Sequence, residues 1–288
     1  MDVLITGLIF GAIYAVLACG FALVFGVARI LNLAHTALYT IAAFCMYYFT
    51  VKLTFNPFLS AIVGIIGATI VALVVYMLCI DRVKHYEFSV LAITIAVAYI
   101  IHEILLMIFG TRHYGIPPLI KGSVVILGVA VTYMHLVTVA ASLVALLFIW
   151  LLLWKTWWGI AIRAVSQDQE IAGLMGITVR RINLITVGIS AAFAGLAGAV
   201  VAPVLMVYPG MWMPPLLTVL AAVVLGGLGS FHGAIVGAFI LGLVEAAVVI
   251  LVPAGAYLRG AAALVIMVIV LLVRSEGLFG VSFEEERL

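Results

Sequence analysis

Nine long apolar runs follow one another along the 288-residue chain, at about 3–27, 32–51, 57–80, 88–109, 135–154, 183–207, 214–230, 233–252 and 258–273. A helix needs about 20 such residues to cross a bilayer. Apolar residues make up 68% of the chain and charged residues 8%, against roughly half and a quarter in soluble domains. No water-soluble core hides that much hydrocarbon, so most side chains face lipid or another helix. The chain reads as an all-α polytopic membrane protein of about eight or nine transmembrane segments, some short or broken. A barrel is excluded, because the runs are too long and lack strand alternation. A net charge of +2 without a basic patch of interleaved aromatics gives no footing for nucleic acid.

The placement of Lys and Arg orients such a chain. With the N-terminus outside and the C-terminus inside, nine of the 13 basic residues fall on the inner side: Arg29, Arg82, Lys84, Lys155, Arg163, Arg180, Arg181, Arg274 and Arg287. Asp2, rather than a basic stretch, precedes the first run, which reads as a retained span and not a removed signal. Cys19, Cys45 and Cys79 sit within apolar runs and read as small buried side chains, not as a disulfide or metal framework. The tail Glu284–Leu288 reads as a solvated end. Runs 214–230 and 233–252 are separated only by Phe231-His232, so they are either two spans or one span and a re-entrant piece.

The inner loop 155–182 is the most informative polar stretch. Ser166 followed by Gln169 has capping-box spacing, and Asp168 and Glu170 suit the positive end of a helix dipole. Ile171, Leu174 and Met175 form an i, i+3, i+4 stripe, and Gly176 is placed to end the helix. The pattern predicts a short helix, 167–175, with an apolar face in water. So short a helix is not stable alone. Either it folds back on its own membrane domain or headgroup layer, or it enters a groove on a soluble partner.

Here "RAVSQDQEIAGLMGI" resembles the EAA loop of ABC-importer permeases, whose coupling helix seats on an ATPase subunit. The wider EAA pattern ends in I-x-L-P where this chain reads "INLITVG", a departure typical of branched-chain amino acid permeases of the LivH type. Gly7–Phe44, Ala194–Pro203 and Val224–Ala246 resemble the same family, in the same order. The resemblance implies that Arg163, Ser166, Asp168, Glu170, Ile171, Ala172, Leu174, Met175 and Gly176 make an ATPase-coupling surface. It implies a second, LivM-type permease, two cytoplasmic ABC ATPases and an extracytoplasmic substrate-binding protein as partners. ATP would be bound by those subunits, with no cofactor and no catalysis in this chain. Gly110 and Gly115 have phosphate-loop spacing, but Ile116-Pro117 stands where Lys-Ser/Thr is needed.

Polar groups at membrane depth are costly and usually face the bundle interior. Asn32, His35, Thr36 and Tyr39 open the second run. They read either as a helix start at headgroup level, with Asn32 as cap, or as a re-entrant entry lining the pathway; the family resemblance favours the second. Gly226, Gly227 and Gly229, with Ser230, suit a half-helix break whose free backbone groups line a path. Gly195 and Gly198 read as close-packing positions. Glu103 and Glu245 read as interhelical or headgroup-level partners, or as gating groups. "HEILL" has Leu106 where a zinc site needs His, and "GLGSFHG" has Leu228 where a nucleophile elbow needs Gly.

Outside, loop 110–134 carries Pro117-Pro118, which breaks any helix, and "SVVILGVAVTY", which reads as a hairpin about Gly128. The expected function is inward movement of branched-chain amino acids by alternating access. The same scaffold importing urea, short amides or aromatic acids is an open alternative, as is a self-contained channel or ion-coupled carrier.

Overall fold

The computed structural model describes residues 1–84, 86–126, 128–274 and 277–279. The tail Glu284–Leu288, with Arg287, lies outside the described residues. The chain is an all-α polytopic membrane protein. Its helices are α1 (Asp2–Ala28), α2 (His35–Tyr47), α3 (Pro57–Val75), α4 (Asp81–Val83), α5 (Glu87–Phe109), α6 (Tyr133–Lys155), α7 (Trp157–Gln167), α8 (Gln169–Leu174), α9 (Val179–Val201), α10 (Met213–Gly226), α11 (Phe231–Leu251) and α12 (Arg259–Val273). Wider π-type turns extend α2 to Lys52 and join α3 to α4. Among the described residues, seven helices are long and apolar enough to cross a membrane.

The two short segments are α2 and α12, of 13 and 15 residues. The run 214–230, which looks short in sequence, reaches span length because a 3-10 turn at Pro209–Trp212 precedes α10. The run 183–207 stops being helical at Val201. The break between the last two long runs is Gly227–Ser230, not Phe231-His232, which form the first turn of α11. Two positive-φ glycines explain the shift: Gly227 at 101° and Gly229 at 85° take conformations closed to most residues.

α1 is apolar on every face, as a membrane span can be, and it takes the central position in the bundle. Its most apolar window is 78% buried, against 22% for α3 and for α5, whose outer faces stay free for lipid. α11 packs along α1, α9 crosses α1, α2 and α3, and α10 joins α11 to α12. Trp154, Trp157 and Trp158 cluster where α6 meets α7, with Arg163 over the Trp154 ring at 4.4 Å and Arg181 over Trp158 at 5.4 Å. Such aromatic-basic belts mark a membrane–water boundary.

At the opposite end, β1 (Ser123–Ile126) and β2 (Val129–Thr132) pair antiparallel, Ser123 opposite Thr132 and Ile126 opposite Val129. This is the hairpin expected about Gly128, whose φ is +83°. A bridge between Tyr114 and Val207 ties this loop to segment 202–208.

Candidate functional site

The loop between α6 and α9 forms two helices where the sequence suggests one. α7 runs through Ser166, whose hydroxyl donates to the Arg163 carbonyl. Ser166 is therefore inside a helix and does not cap the next one. The cap is Asp168: one carboxylate oxygen accepts from the Glu170 and Ile171 N–H groups at 2.8 and 2.9 Å. At the other end Gly176 takes φ +87°, with bonds from Gly176 N–H to the Gly173 carbonyl and from Ile177 N–H to the Ala172 carbonyl. That pair of bonds is a Schellman stop. α8 is thus six residues long, closed at both ends, and shorter than the expected 167–175.

α8 is also anchored to the bundle. Ala172 is buried, and the Gln169 amide donates to the Val27 carbonyl at 2.8 Å. Asp81 receives Arg180 at 2.9 Å and Lys84 at 3.0 Å, holding the start of α9 against α4. Sequence reasoning missed Gln169 and Asp81 as anchors; the Asp-Arg-x-Lys cluster ending run 57–80 was the available signal. With the base held, Ile171, Leu174 and Met175 stand 60%, 87% and 80% exposed, and Glu170 is exposed beside them. Asp168→Ala removes two capping bonds, worth about 1 kcal/mol. Amide exchange at Glu170 and Ile171 is expected to rise about fivefold, while Ser166→Ala leaves it unchanged.

The polar strip of the second run is split. Asn32 lies in the turn before α2, its side chain accepting from Ala34 N–H at 3.1 Å. His35 begins α2 fully buried, its Nε2 3.1 Å from the Leu17 carbonyl and its Nδ1 3.3 Å from Ser190 Oγ. Leu17 lies midway along α1, so segment 29–34 returns to the depth of mid-α1 before α2 starts. Such non-helical backbone is tolerated at membrane depth only when enclosed by protein. Ile30 and Ala34 are buried here, and Thr94 of α5 donates to the Leu31 carbonyl at 3.5 Å. Thr36 is buried in the same packing. Tyr39, one turn on, lines a cavity of about 220 Å³ beside α1.

A second cavity, about 160 Å³, brings Arg163 and Ser166 together with Gly229. It sits against Ala22, Leu23, Gly26 and Val27, whereas the first sits against Phe10, Ile13, Tyr14 and Leu17. At 100° per residue these are opposite faces of α1, so the cavities do not lie in one line. Gly226 and Gly227 are buried in the α10–α11 turn, and Ser230 caps α11 by accepting from Gly233 N–H at 3.1 Å.

Of the two embedded acids, Glu103 lies exposed on α5. Glu245 is buried, accepts from the Tyr14 hydroxyl at 3.0 Å and pairs with Arg259 at 3.2 Å. The pairing joins α1, α11 and α12, and no spacing in the sequence pointed to it. The two acids are not gathered into one ion site, and no cluster of metal-ligating residues exists among the described residues.

Residues 3–273 match the family model described as "Branched-chain amino acid transport system / permease component". The chain is 27% identical to the high-affinity branched-chain amino acid transport system permease protein LivH of Salmonella typhimurium, over 95% of this chain and 93% of that one. It is 25% identical to BraD, the corresponding permease protein of Pseudomonas aeruginosa, over 84% of each. Against the solved PsaBC from Streptococcus pneumoniae in complex with Fab, the TM-score is 0.49 at 16% identity, covering 94% of this chain and 90% of that one. With seven bilayer-length apolar helices among the described residues and permease relatives along its length, the chain is a multi-pass protein of the prokaryotic inner membrane. It belongs to the permease-component family of branched-chain amino acid transport systems.

Proposed function

We propose that the chain is the translocation subunit of an ATP-driven importer that moves branched-chain amino acids inward by alternating access. The carrying observation is α8. A six-residue helix is capped at both ends and anchored at its base, yet presents Leu174 and Met175 almost wholly to solvent. Exposed apolar side chains on a rigid element suit a partner groove. Two cytoplasmic ABC ATPases are the partners with the energy to move it, and this chain performs no catalysis and holds no cofactor of its own. The loop end then faces the cytoplasm, as the Lys and Arg bias requires. The hairpin end faces the extracytoplasmic binding protein, and a LivM-type permease completes the pair.

The ion-coupled alternative loses support because Glu245 is buried beside Arg259 whereas Glu103 lies exposed on α5, so the two acids do not share one site. The test places a single cysteine at Leu174 and crosslinks native membranes. A covalent product joining this chain to a nucleotide-hydrolysing subunit is the expected result. Absence of any such product, with the chain present and the probe reactive, overturns the coupling assignment.

A further inference from the structure

The cavity beside Tyr39 has the size and chemistry of an amino-acid site. Its walls are largely apolar, from Phe10, Ile13 and Leu17 of α1, Leu205 and Met206 of the segment after α9, and Met211. Polar character is confined to Tyr14, Tyr39, Tyr208 and Arg259. A mostly apolar lining with a few convergent polar groups is the usual make-up of a small-molecule site. An apolar cavity of about 150 Å³ holds one benzene, so about 220 Å³ holds roughly nine non-hydrogen atoms, the size of leucine or isoleucine.

Arg259 fixes the ligand class further. Its guanidinium lies 4.9 Å from the centre of the Phe10 ring, and its closest approach to Glu245 is through Nε, at 3.2 Å and without hydrogen-bond alignment. Four of the five guanidinium N–H donors are on the other nitrogens, and the side chain is 28% exposed. A lipid tail would meet a charged group in that wall, which hydrocarbon does not satisfy. A carboxylate would complete it.

The cavity runs from the depth of Leu17 to segment 202–208, and the bridge between Tyr114 and Val207 ties that segment to the hairpin loop. It therefore lies in the half of the bundle toward the end from which an importer receives its cargo. We infer that this cavity binds one aliphatic amino acid, the carboxylate on Arg259, the ammonium on the Tyr39 and Tyr208 phenol oxygens and the branched side chain among Leu17, Leu205 and Met211. The inference rests on the import reading for the choice of cargo.

The test uses the transporter assembled with its partner subunits in nanodiscs, without binding protein or ATP, and a diazirine analogue of leucine as photolabel. Label on Tyr39 or on 205–211, competed by excess leucine, is expected. Arg259→Gln combined with Glu245→Gln removes both charges without stranding either. Labelling should then fall on the order of tenfold or more, as loss of one charge-assisted bond predicts, while Arg259→Lys keeps a larger share. Leu205→Trp should shift competition from leucine toward alanine. Size-exclusion profiles of each variant establish that it assembles.

Label outside the cavity, label that leucine does not displace, or assembled variants with unaltered labelling and size preference overturn the inference. Those results leave the import reading standing if ATP-driven leucine uptake persists. Conversely, leucine-competed label in the cavity of a complex that shows no ATP-driven uptake counts against the import reading alone.

Discussion

Leu174→Asp combined with Met175→Asp is expected to abolish ATP-driven leucine uptake while leaving the permease folded in the membrane. The two side chains are 87% and 80% exposed, so their removal deprives the fold of little, and surface substitutions of this kind usually move stability by about 0.5 kcal/mol or less. The helix keeps its Asp168 cap and its Gly176 stop. In a partner groove the balance is different. Central apolar anchors are worth about 2–4 kcal/mol each, and each carboxylate driven into that groove adds a desolvation cost. Losing both anchors amounts to at least 4 kcal/mol, or about a thousandfold in association. Uptake into vesicles, co-purification of the ATPase and the thermal unfolding midpoint measure the three parts. Ala172→Asp serves as the contrast: Ala172 is buried, so that variant should lose stability as well as coupling. Normal uptake by the double variant would mean that α8 is not where energy enters.

The difference between Leu174 and Ala172 was partly legible in sequence, since the i, i+3, i+4 stripe and the terminal glycine mark the exposed face and its end. The cap was not, because Ser166 and Asp168 are both capping residue types. Only the preceding helix, which extends through Gln167, decides between them. That the chain crosses the bilayer many times was legible for the same reason that composition excludes a soluble fold, since runs of apolar residues have no other place to go. The eight or nine runs did not show which helices would be too short to span: seven of span length are found among the described residues, with α2 and α12 shorter. Depth was not. A sequence orders residues along the chain, whereas His35 meets Leu17 because segment 29–34 doubles back, a path set by tertiary packing. Glu245 announced itself as an expensive group, but its partner Tyr14 is 231 residues away. Long-range pairing of that kind leaves no local pattern. The glycine-rich break could be predicted as a break, yet its position followed from which glycines take positive φ.

Gly198→Val is expected to prevent accumulation of the folded chain, whereas Gly188→Ala on the same helix is expected to be tolerated. Helices in lipid gain little from hydrophobic burial against each other, so they depend on close packing at small residues. At Gly198 of α9, a Cβ would be driven into the Tyr39 backbone carbonyl of α2 and would stand 3.2 Å from the Ala42 Cβ. Three residues earlier, a Cβ on Gly195 would lie 2.9 Å from the Ile65 Cα of α3. Backbone cannot rotate aside as a side-chain tip can, so the whole α2–α9 crossing must open. Overpacking costs about 1–3 kcal/mol even where side chains can adjust, and here two branches are added where none fits. At Gly188 the nearest atom to a Cβ is the Leu73 Cδ2 at 3.7 Å, an ordinary contact, and alanine also gains about 1 kcal/mol of helix propensity. Membrane levels and unfolding midpoints in detergent would separate the two variants; equal accumulation would show that α2 and α9 do not cross at Gly198. The crossing also connects packing to the cavity inferred to hold leucine, because the carbonyl that Gly198 accommodates belongs to Tyr39, which lines it. Any variant folded well enough to survive should displace that ring from the cavity and weaken leucine labelling there before the bundle is lost.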